Sequence, residues 1–492
     1  MRLAELSARD QLLDQAKFYL SSALQLAPGD LRATEELVAT QKASGMEKQA
    51  YALAKESLQR FPLSDFLRNE IGTVDPQHLA DDHSRILNIT HEYMRLGLYR
   101  AALHVLSDRY PDPRPDESEP GATSPARDPM LAYYRAYCQM KLGESSAADD
   151  HTAASLPTDY VFPSSAEDLI VLRAAVQANA SDANAHYLLG TLYFSRAITD
   201  QALAEWETAR KLNPKIPVLD ASLGLELLHV KNDPEAALEV FREGIHNDAR
   251  NEAGYLGADQ SLSILNRPSS ERVQALELYP DMAQMPTELV FELTLNLAEA
   301  GDFDGATALF RNRFFPREEG GTNVRQVWIE VQLLRALDQA EKKNCGEAIA
   351  TSGRIGSPVE GLSFTRDGLQ PFLETARTNY LLGKVDAQCG RPQQARKRFE
   401  SAAAKSDRSE IVWAWQAAQQ LPAFDHNQWT LRLKSEQRST AMAENSSAVY
   451  NQAMINRALG HEQESDQDLR QVFLLPDHLL SYHLAREAMA KQ

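Results

Sequence analysis

The segment DQAKFYLSSALQLAPGD near the start of the chain and KQAYALAKESLQRFPLSD further on fall into register when shifted by 34 residues: Ala16 maps onto Ala50, Leu20 onto Ala54, Ala23 onto Ser57 and Pro28 onto Pro62. A fixed period of this kind is the signature of a repeat array, and it constrains the fold more than any other feature. A unit this short cannot bury its own apolar face, so stability has to come from stacking each unit on its neighbours. The 492 residues would otherwise imply two or more globular domains, because single cores stop growing at about 250–300 residues. An array has no such limit.

The fullest copy is ANAHYLLGTLYFSRAITDQALAEWETARKLNP, Ala183 to Pro214. Leu189 and Tyr193 share one face of a first helix, while Ala202, Trp206 and Ala209 line one face of a second. Gly190 and Ala202 lack bulk, which lets the two axes approach toward the short end of the range of about 8–10 Å for packed helices. Trp206 then fills the space beside them. Pro214 cannot donate an i to i−4 hydrogen bond, so it ends the second helix.

These marked positions resemble the tetratricopeptide repeat (TPR). Other segments sit on the same grid through Tyr93, Gly97, Tyr99 and Ala102, through Leu293, Leu297, Gly301, Phe303, Ala306 and Phe310, and through Gly383, Gly390, Ala395, Phe399 and Ala402. Gly224, Ala237 and Phe241 mark one more, with an extra residue between its helices. The resemblance implies an all-α fold, a TPR-type α-solenoid in which about nine to eleven antiparallel helix pairs stack into a right-handed superhelix. The pair count is loosest over 252–286 and 324–372.

Composition divides the chain into TPR-like pairs over 1–109, a connector over 110–129 and a main solenoid over 130–492. The connector, YPDPRPDESEPGATSPARDP, carries six prolines among acids, Ser and Gly, which reads as a solvated break in the stack. After it, DYVFPSSAEDLIVLRAAVQANASDANA reads as another helix entry, capped by Ser164 or Ser165 and supported by Glu167. The chain also opens inside a repeat, with Leu3 and Ala4 already at first-helix positions, so a preceding segment is expected. FRNRFFPREEGGTNVRQVW, Phe310 to Trp328, reads as a joint: Phe310 ends one apolar stripe, Pro316 stops the helix, and Thr322 or Asn323 caps the next. The other reading of that stretch is an interaction loop using Arg317, Glu318 and Glu319.

A second resemblance runs from YVFPSSAE through HYLLGTLYFS to RFFPREEGGTNVRQVW and GLSFTRDGLQPFLETAR. It looks like the TPR-rich C-terminal portion of an uncharacterised bacterial family whose members carry a β-sheet-rich, mutarotase-like domain ahead of the repeats. That domain is not in this sequence, so its carbohydrate role is not carried over. The resemblance leaves one alternative: the accessory repeat region of a carbohydrate-active or sugar-sensing protein whose β-domain lies upstream or on another chain.

The charge balance narrows the partners. With 69 acids against 51 bases the net charge is −18, which argues against nucleic acid or an anionic membrane, since both require basic surface to displace counterions. No run of about 18 apolar residues offers a membrane span. Glu5, Arg9 and Asp10 interrupt any signal-peptide core, so the default expectation is cytoplasmic, with a lost leader conceivable if the N-terminus is truncated. Cys138, Cys345 and Cys389 are odd in number and show no C-x-x-C spacing, so they read as unpaired thiols rather than a disulfide frame or zinc site.

Catalytic signatures fail on mechanics. No G-x-S-x-G elbow, P-loop or dinucleotide fingerprint is present. His91-Glu92 and His461-Glu462 begin like a zinc helix but lack the second His, and His78/His83 and His478/His483, five apart, share a helix face poorly. The histidines therefore read as surface or ordinary packing residues. No catalytic set, metal site or cofactor is expected.

What remains is binding. In TPR arrays the first helix of each pair lines the concave groove. The resemblance assigns that role to Tyr133, Tyr137 and Met140, then Asn184, Tyr187, Thr191 and Phe194, then Leu225, Leu228 and His229, then Phe291 and Leu295, then Arg377, Tyr380 and Lys384. The aromatic middle of this set suits an extended peptide or a partner helix, although the same rings also suit packing between repeats. A clamp for a peptide carboxylate would need Lys and Asn where Tyr187 with Thr191 and Glu35 with Ala39 stand, and an asparagine ladder is met by Asn88 alone. The expected function is a non-enzymatic scaffold for a protein or peptide partner.

Overall fold

The copy at 183–214 folds as its spacing requires. Helices Ala183–Ser195 and Thr199–Leu212 form a hairpin across a short turn, and Trp206 is buried with its indole Nε1 donating to the Tyr187 carbonyl at 3.2 Å. A β-carbon on Gly190 would stand 2.5 Å from Trp206 Cδ1, so the indole occupies space that any other residue would fill. Gly224 with Phe241 and Gly383 with Phe399 repeat the arrangement at 2.5 and 2.6 Å.

The computed structural model describes residues 1–114, 123–216, 218–311, 313–315, 323–357, 366–440, 445–475 and 480–490. They contain 29 α-helices, two short 3-10 turns and no strand. The chain forms two compact units, Met1–Leu219 and Asp220–Gln492.

In the first unit the principal pairs are Leu31–Ala43 with Glu47–Ser57, His83–Arg95 with Tyr99–Ser107, Pro129–Lys141 with Ala147–Ser155, and the copy above. Of the eight residues that revealed the period, Ala16, Leu20, Ala50 and Ala54 are buried, Ala23 and Ser57 half-buried, and Pro28 and Pro62 exposed. Helices Tyr99–Ser107 and Pro129–Lys141 pack on one another on either side of the proline-rich stretch. Its first residues are tied down, since the Arg114 backbone N–H and guanidinium Nε reach the Asp81 carboxylate at 2.8 and 2.9 Å. Helix Ala166–Ala178 is capped by Ser165, and Asp168 completes the capping box. Glu167, expected to support that cap, pairs instead with Arg95 at 2.8 Å, because position N3 belongs to Asp168.

In the second unit the two loosely read regions resolve into pairs: Glu252–Ile264 with Ser269–Leu276, and Val324–Glu341 with Cys345–Arg354. The remaining pairs include Leu219–His229 with Pro234–Asn247, Thr287–Glu299 with Phe303–Ala308, Ala376–Gln388 with Pro392–Ala403, and Ser446–Ala458 with Glu462–Val472; helix Leu480–Ala490 follows. Phe310 is fully buried, with Trp328 edge-on at 5.3 Å and Phe315 at 5.6 Å, and Asn323 caps the helix that follows. Arg317, Glu318 and Glu319 lie outside the described residues.

One expectation is overturned. Cys345 and Cys389 form a disulfide, with Cα atoms 5.3 Å apart across 44 residues of sequence, while Cys138 is a buried free thiol. The pairing escaped a spacing argument because the stacking of helices Cys345–Arg354 and Ala376–Gln388 brings the two together. Disulfides favour oxidising compartments, so this bond and the cytoplasmic expectation pull in opposite directions.

Candidate functional site

The first-helix faces of the two units were expected to bind, and they differ. In the first unit most of the expected residues carry structural hydrogen bonds. Tyr133 is buried and donates its hydroxyl to both carboxylate oxygens of Asp182, at 2.9 and 3.0 Å, while Asp182 caps helix Ala183–Ser195 by accepting from Ala185 N. Asn184 donates to the carbonyls of Ala153 and Leu156 at 3.1 and 2.8 Å, closing the end of helix Ala147–Ser155. Thr191 donates to the Tyr187 carbonyl at 3.0 Å. Tyr137 lies edge-on to Tyr99 with the Lys141 ammonium 5.3 Å above its ring. Two apolar groups stay open to solvent: Met140, 42% exposed, and Phe194, 44% exposed and stacked obliquely on Trp206.

The same unit buries two adjacent acids, Glu35, which the repeat grid placed at a clamp position, and Glu36, which it did not single out. Glu36 is fully buried; its Oε1 accepts from Arg32 at 3.1 Å and its Oε2 has no hydrogen-bond partner. Burial, helped by Glu5, pushes its pKa up to about 8, and burial pushes Glu35 up to about 7 although Ser64 donates to it at 2.6 Å. Beside them His91 Nε2 meets the Tyr134 hydroxyl at 2.7 Å and Tyr134 donates to Asp168 at 2.6 Å, so helices His83–Arg95, Pro129–Lys141 and Ala166–Ala178 are joined by one polar chain.

In the second unit the first-helix face holds a helix of the chain itself. Asp259 and Gln260 project from Glu252–Ile264, Glu292 and Glu299 from Thr287–Glu299, Glu330 from Val324–Glu341 and Arg377 from Ala376–Gln388. All six meet the terminal helix Leu480–Ala490 or the charges that surround it. Gln260 Nε2 donates to the Tyr482 hydroxyl at 2.9 Å. His483, fully buried, places Nδ1 2.7 Å from Glu299 and Nε2 3.1 Å from Glu330. Arg486 reaches Glu299 at 3.0 Å and Glu292 at 3.6 Å. Arg377 forks onto Glu330 and lies 3.9 Å from Glu487, and Arg272 comes in from helix Ser269–Leu276 to Glu299.

Burial alone would lower the pKa of His483, but its hydrogen bonds to Glu299 and Glu330 outweigh that and raise it to about 9. Burial opposes ionisation of Glu299 and Glu330 as well; Arg486 and His483 nevertheless hold Glu299 low, and Arg377 and His483 hold Glu330 at about 2. Glu292 goes the other way, raised by burial and by Asp259. Glu330, His483 and Glu487 present ligand atoms within 4.8 Å of one another, a spacing that could suit a metal. An imidazole hydrogen-bonded to carboxylates through both nitrogens is, however, an imidazolium and has no lone pair to offer. The set works as an ion-pair network.

Two residues of the expected groove take part in contacts around the terminal helix: Arg377, and His229, whose Nδ1 meets the Leu474 carbonyl at 2.8 Å just before it. Phe291 instead stacks on Phe315 at 5.6 Å, and Tyr380 packs between Phe399 and Trp413 at 6.1 and 5.9 Å. Lys384 is half-buried and Leu225 exposed. The acids were overlooked, although a lone carboxylate inside LVFELTLN and VWIEVQLL was a visible signal. His483, read as an ordinary packing or surface residue, is corrected to a fully buried charged group; its partners lie more than 150 residues away.

No protein-family model matches the chain, and no curated protein matches it. Among solved structures it is similar to MamA, with 16% identity over 45% of this chain and 95% of that one at a TM-score of 0.18. It is similar to YrrB, described as a TPR protein with an unusual peptide-binding site, with 14% identity over 48% of this chain and 95% of that one at 0.19. Yeast Tom70 gives 12% identity over 99% of this chain and 93% of that one at 0.26. Identities this low concern the fold alone, and TM-scores this low leave the path of the array to be read from its own helices. Among the described residues no helix is long and apolar enough to cross a membrane. With hairpins of helices on a 34-residue period, a small residue facing a large ring across three of the seams and no strand among the described residues, the chain is an all-α helical repeat of TPR-like pairs.

Proposed function

We propose that the chain is a non-enzymatic protein-interaction scaffold whose first-helix faces take a peptide or a partner helix. The observation that supports this reading most is the second unit's own arrangement: side chains from four successive first helices converge on Leu480–Ala490, so this face has the dimensions and polar groups to hold a helix. The first unit presents the other half of what such a surface needs. Rigid buried rings, Tyr133, Tyr137 and Tyr187, back the accessible Met140 and Phe194, a combination in which apolar anchors cost little conformational entropy on binding.

The test is affinity capture with the full chain, the double variant Met140→Asp/Phe194→Asp and the control Leu212→Asp, which alters an equally exposed residue on a second helix. The expected result is loss of specific partners by the double variant alone. Equal recovery by all three rejects the first-helix face as the binding surface.

A further inference from the structure

We propose that the inner face of the second unit selects a helix bearing two cations three residues apart, and that Leu480–Ala490 is its resident occupant, which a partner helix of the same pattern displaces. This deepens the scaffold reading and rests on it. The wall carries four carboxylates, Asp259, Glu292, Glu299 and Glu330, against two guanidiniums, Arg272 and Arg377; Asp259, Glu292, Glu330 and Arg272 are buried, and the side chains of Glu299 and Arg377 are only 11% and 12% exposed. The occupant brings two positive charges to this acid-rich wall through His483 and Arg486, which share one helix face at i and i+3 and both reach Glu299. Glu487, one residue further along, is placed 3.9 Å from Arg377. Charge complementarity thus specifies what the wall accepts: cation, two intervening residues, cation, then an acid.

The contact is also built for selection more than for strength. Arg272 Nε and Arg377 Nε are buried without a hydrogen-bond partner, and Arg486 Nη2 meets Glu292 only at 3.6 Å; buried ion pairs of this kind penalise a mismatched partner heavily. The occupant's apolar residues, Tyr482, Leu484, Ala485 and Ala488, belong to a core shared with the preceding pair through Tyr450, Ile455 and Phe473. Exchange therefore breaks the polar side of the seat first.

A fluorescein-labelled peptide spanning residues 478–492 serves as the probe, with purified full-length chain as the receptor. In the variant His483→Gln/Arg486→Gln the occupant has lost both cations, so the peptide is expected to bind at least tenfold more tightly than to the wild type, and a peptide carrying Arg486→Gln is expected to lose that gain. Equal binding to both chains, or to neither, overturns the proposal when circular dichroism shows both folded. Should the variant fail to fold, hydrogen exchange on the wild type decides. Amides of Leu480–Ala490 exchanging at least tenfold faster than those of Ser446–Ala458 support displacement, and matched protection makes the helix a fixed part of the core. These readouts use the second unit alone, so their failure leaves the capture test on Met140 and Phe194 to stand or fall separately.

Discussion

Gly190 and Ala197 belong to one helix pair and should respond to substitution in opposite directions. Gly190→Ala gains helix propensity, about 1 kcal/mol at most, but its methyl group would stand 2.5 Å from the indole of Trp206 and 3.1 Å from the Ala202 carbonyl. Overpacking of this kind costs about 1–3 kcal/mol, so a net loss of about 1–2 kcal/mol is expected in denaturant melts. Ala197 holds the turn between the two helices at φ 56°, a place that Gly takes in other copies, for instance Gly97 at 72° and Gly390 at 70°. A left-handed alanine costs about 1–2 kcal/mol, and glycine returns part of that gain as unfolded-chain entropy. Ala197→Gly should therefore stabilise by about 0.5–1 kcal/mol. Destabilisation by Ala197→Gly, or no effect of Gly190→Ala, would contradict this account of the seam.

At the scale of the element, Asp182 does two things at once: it caps helix Ala183–Ser195 and receives the hydroxyl of Tyr133 from helix Pro129–Lys141. Cap removal costs about 0.5–2 kcal/mol, and a hydrogen bond to a charged group contributes about 1.5–3 kcal/mol. Tyr133→Phe should accordingly cost about 1–2 kcal/mol in the wild type and close to nothing in an Asp182→Ala background. Additive losses in that double-mutant cycle would show that the two residues do not couple. The cap itself was readable in the sequence, as an Asp before a helical stripe. The bond to Tyr133 was not, because Tyr133 was placed in the groove by its repeat position while its side chain turns into the seam.

For the second unit as a whole, closure depends on charges brought together from distant helices. His483 faces Glu299, Glu330 and Glu487, with Arg272, Arg377 and Arg486 around them and Glu292 and Asp259 behind. Its folded pKa of about 9 lies above the ordinary 6.5, so its stabilisation is complete below about pH 6.5 and is lost as pH rises through 9. The loss should be on the order of 3 kcal/mol. Thermal melts between pH 6 and 9.5 should fall for the wild type and fall less for His483→Gln. A residual slope is expected from Glu292, Glu35 and Glu36, whose raised pKa values act in the same direction, whereas Glu299 and Glu330 stay ionised throughout. Identical pH profiles for the two proteins would remove His483 from the closure.

The repeat period, the small-against-large seams such as Gly190 with Trp206 and Gly383 with Phe399, and most helix entries were fixed by the chain's local pattern, because each depends on residues within one or two turns or one hairpin of each other. Local pattern also separated first helices from second ones, which is why Arg377 and His229 were placed on first helices. Three features had to wait for the tertiary structure: the Cys345–Cys389 bond, the buried acids of the first-helix faces, and the seating of Leu480–Ala490 against Glu299 and Glu330. Stacking brings together residues separated by 44 to more than 180 positions, and no periodicity records which charge meets which. The physical reason is that apolar burial favours any well-packed array, whereas a buried charge is tolerated where the completed fold supplies its partner.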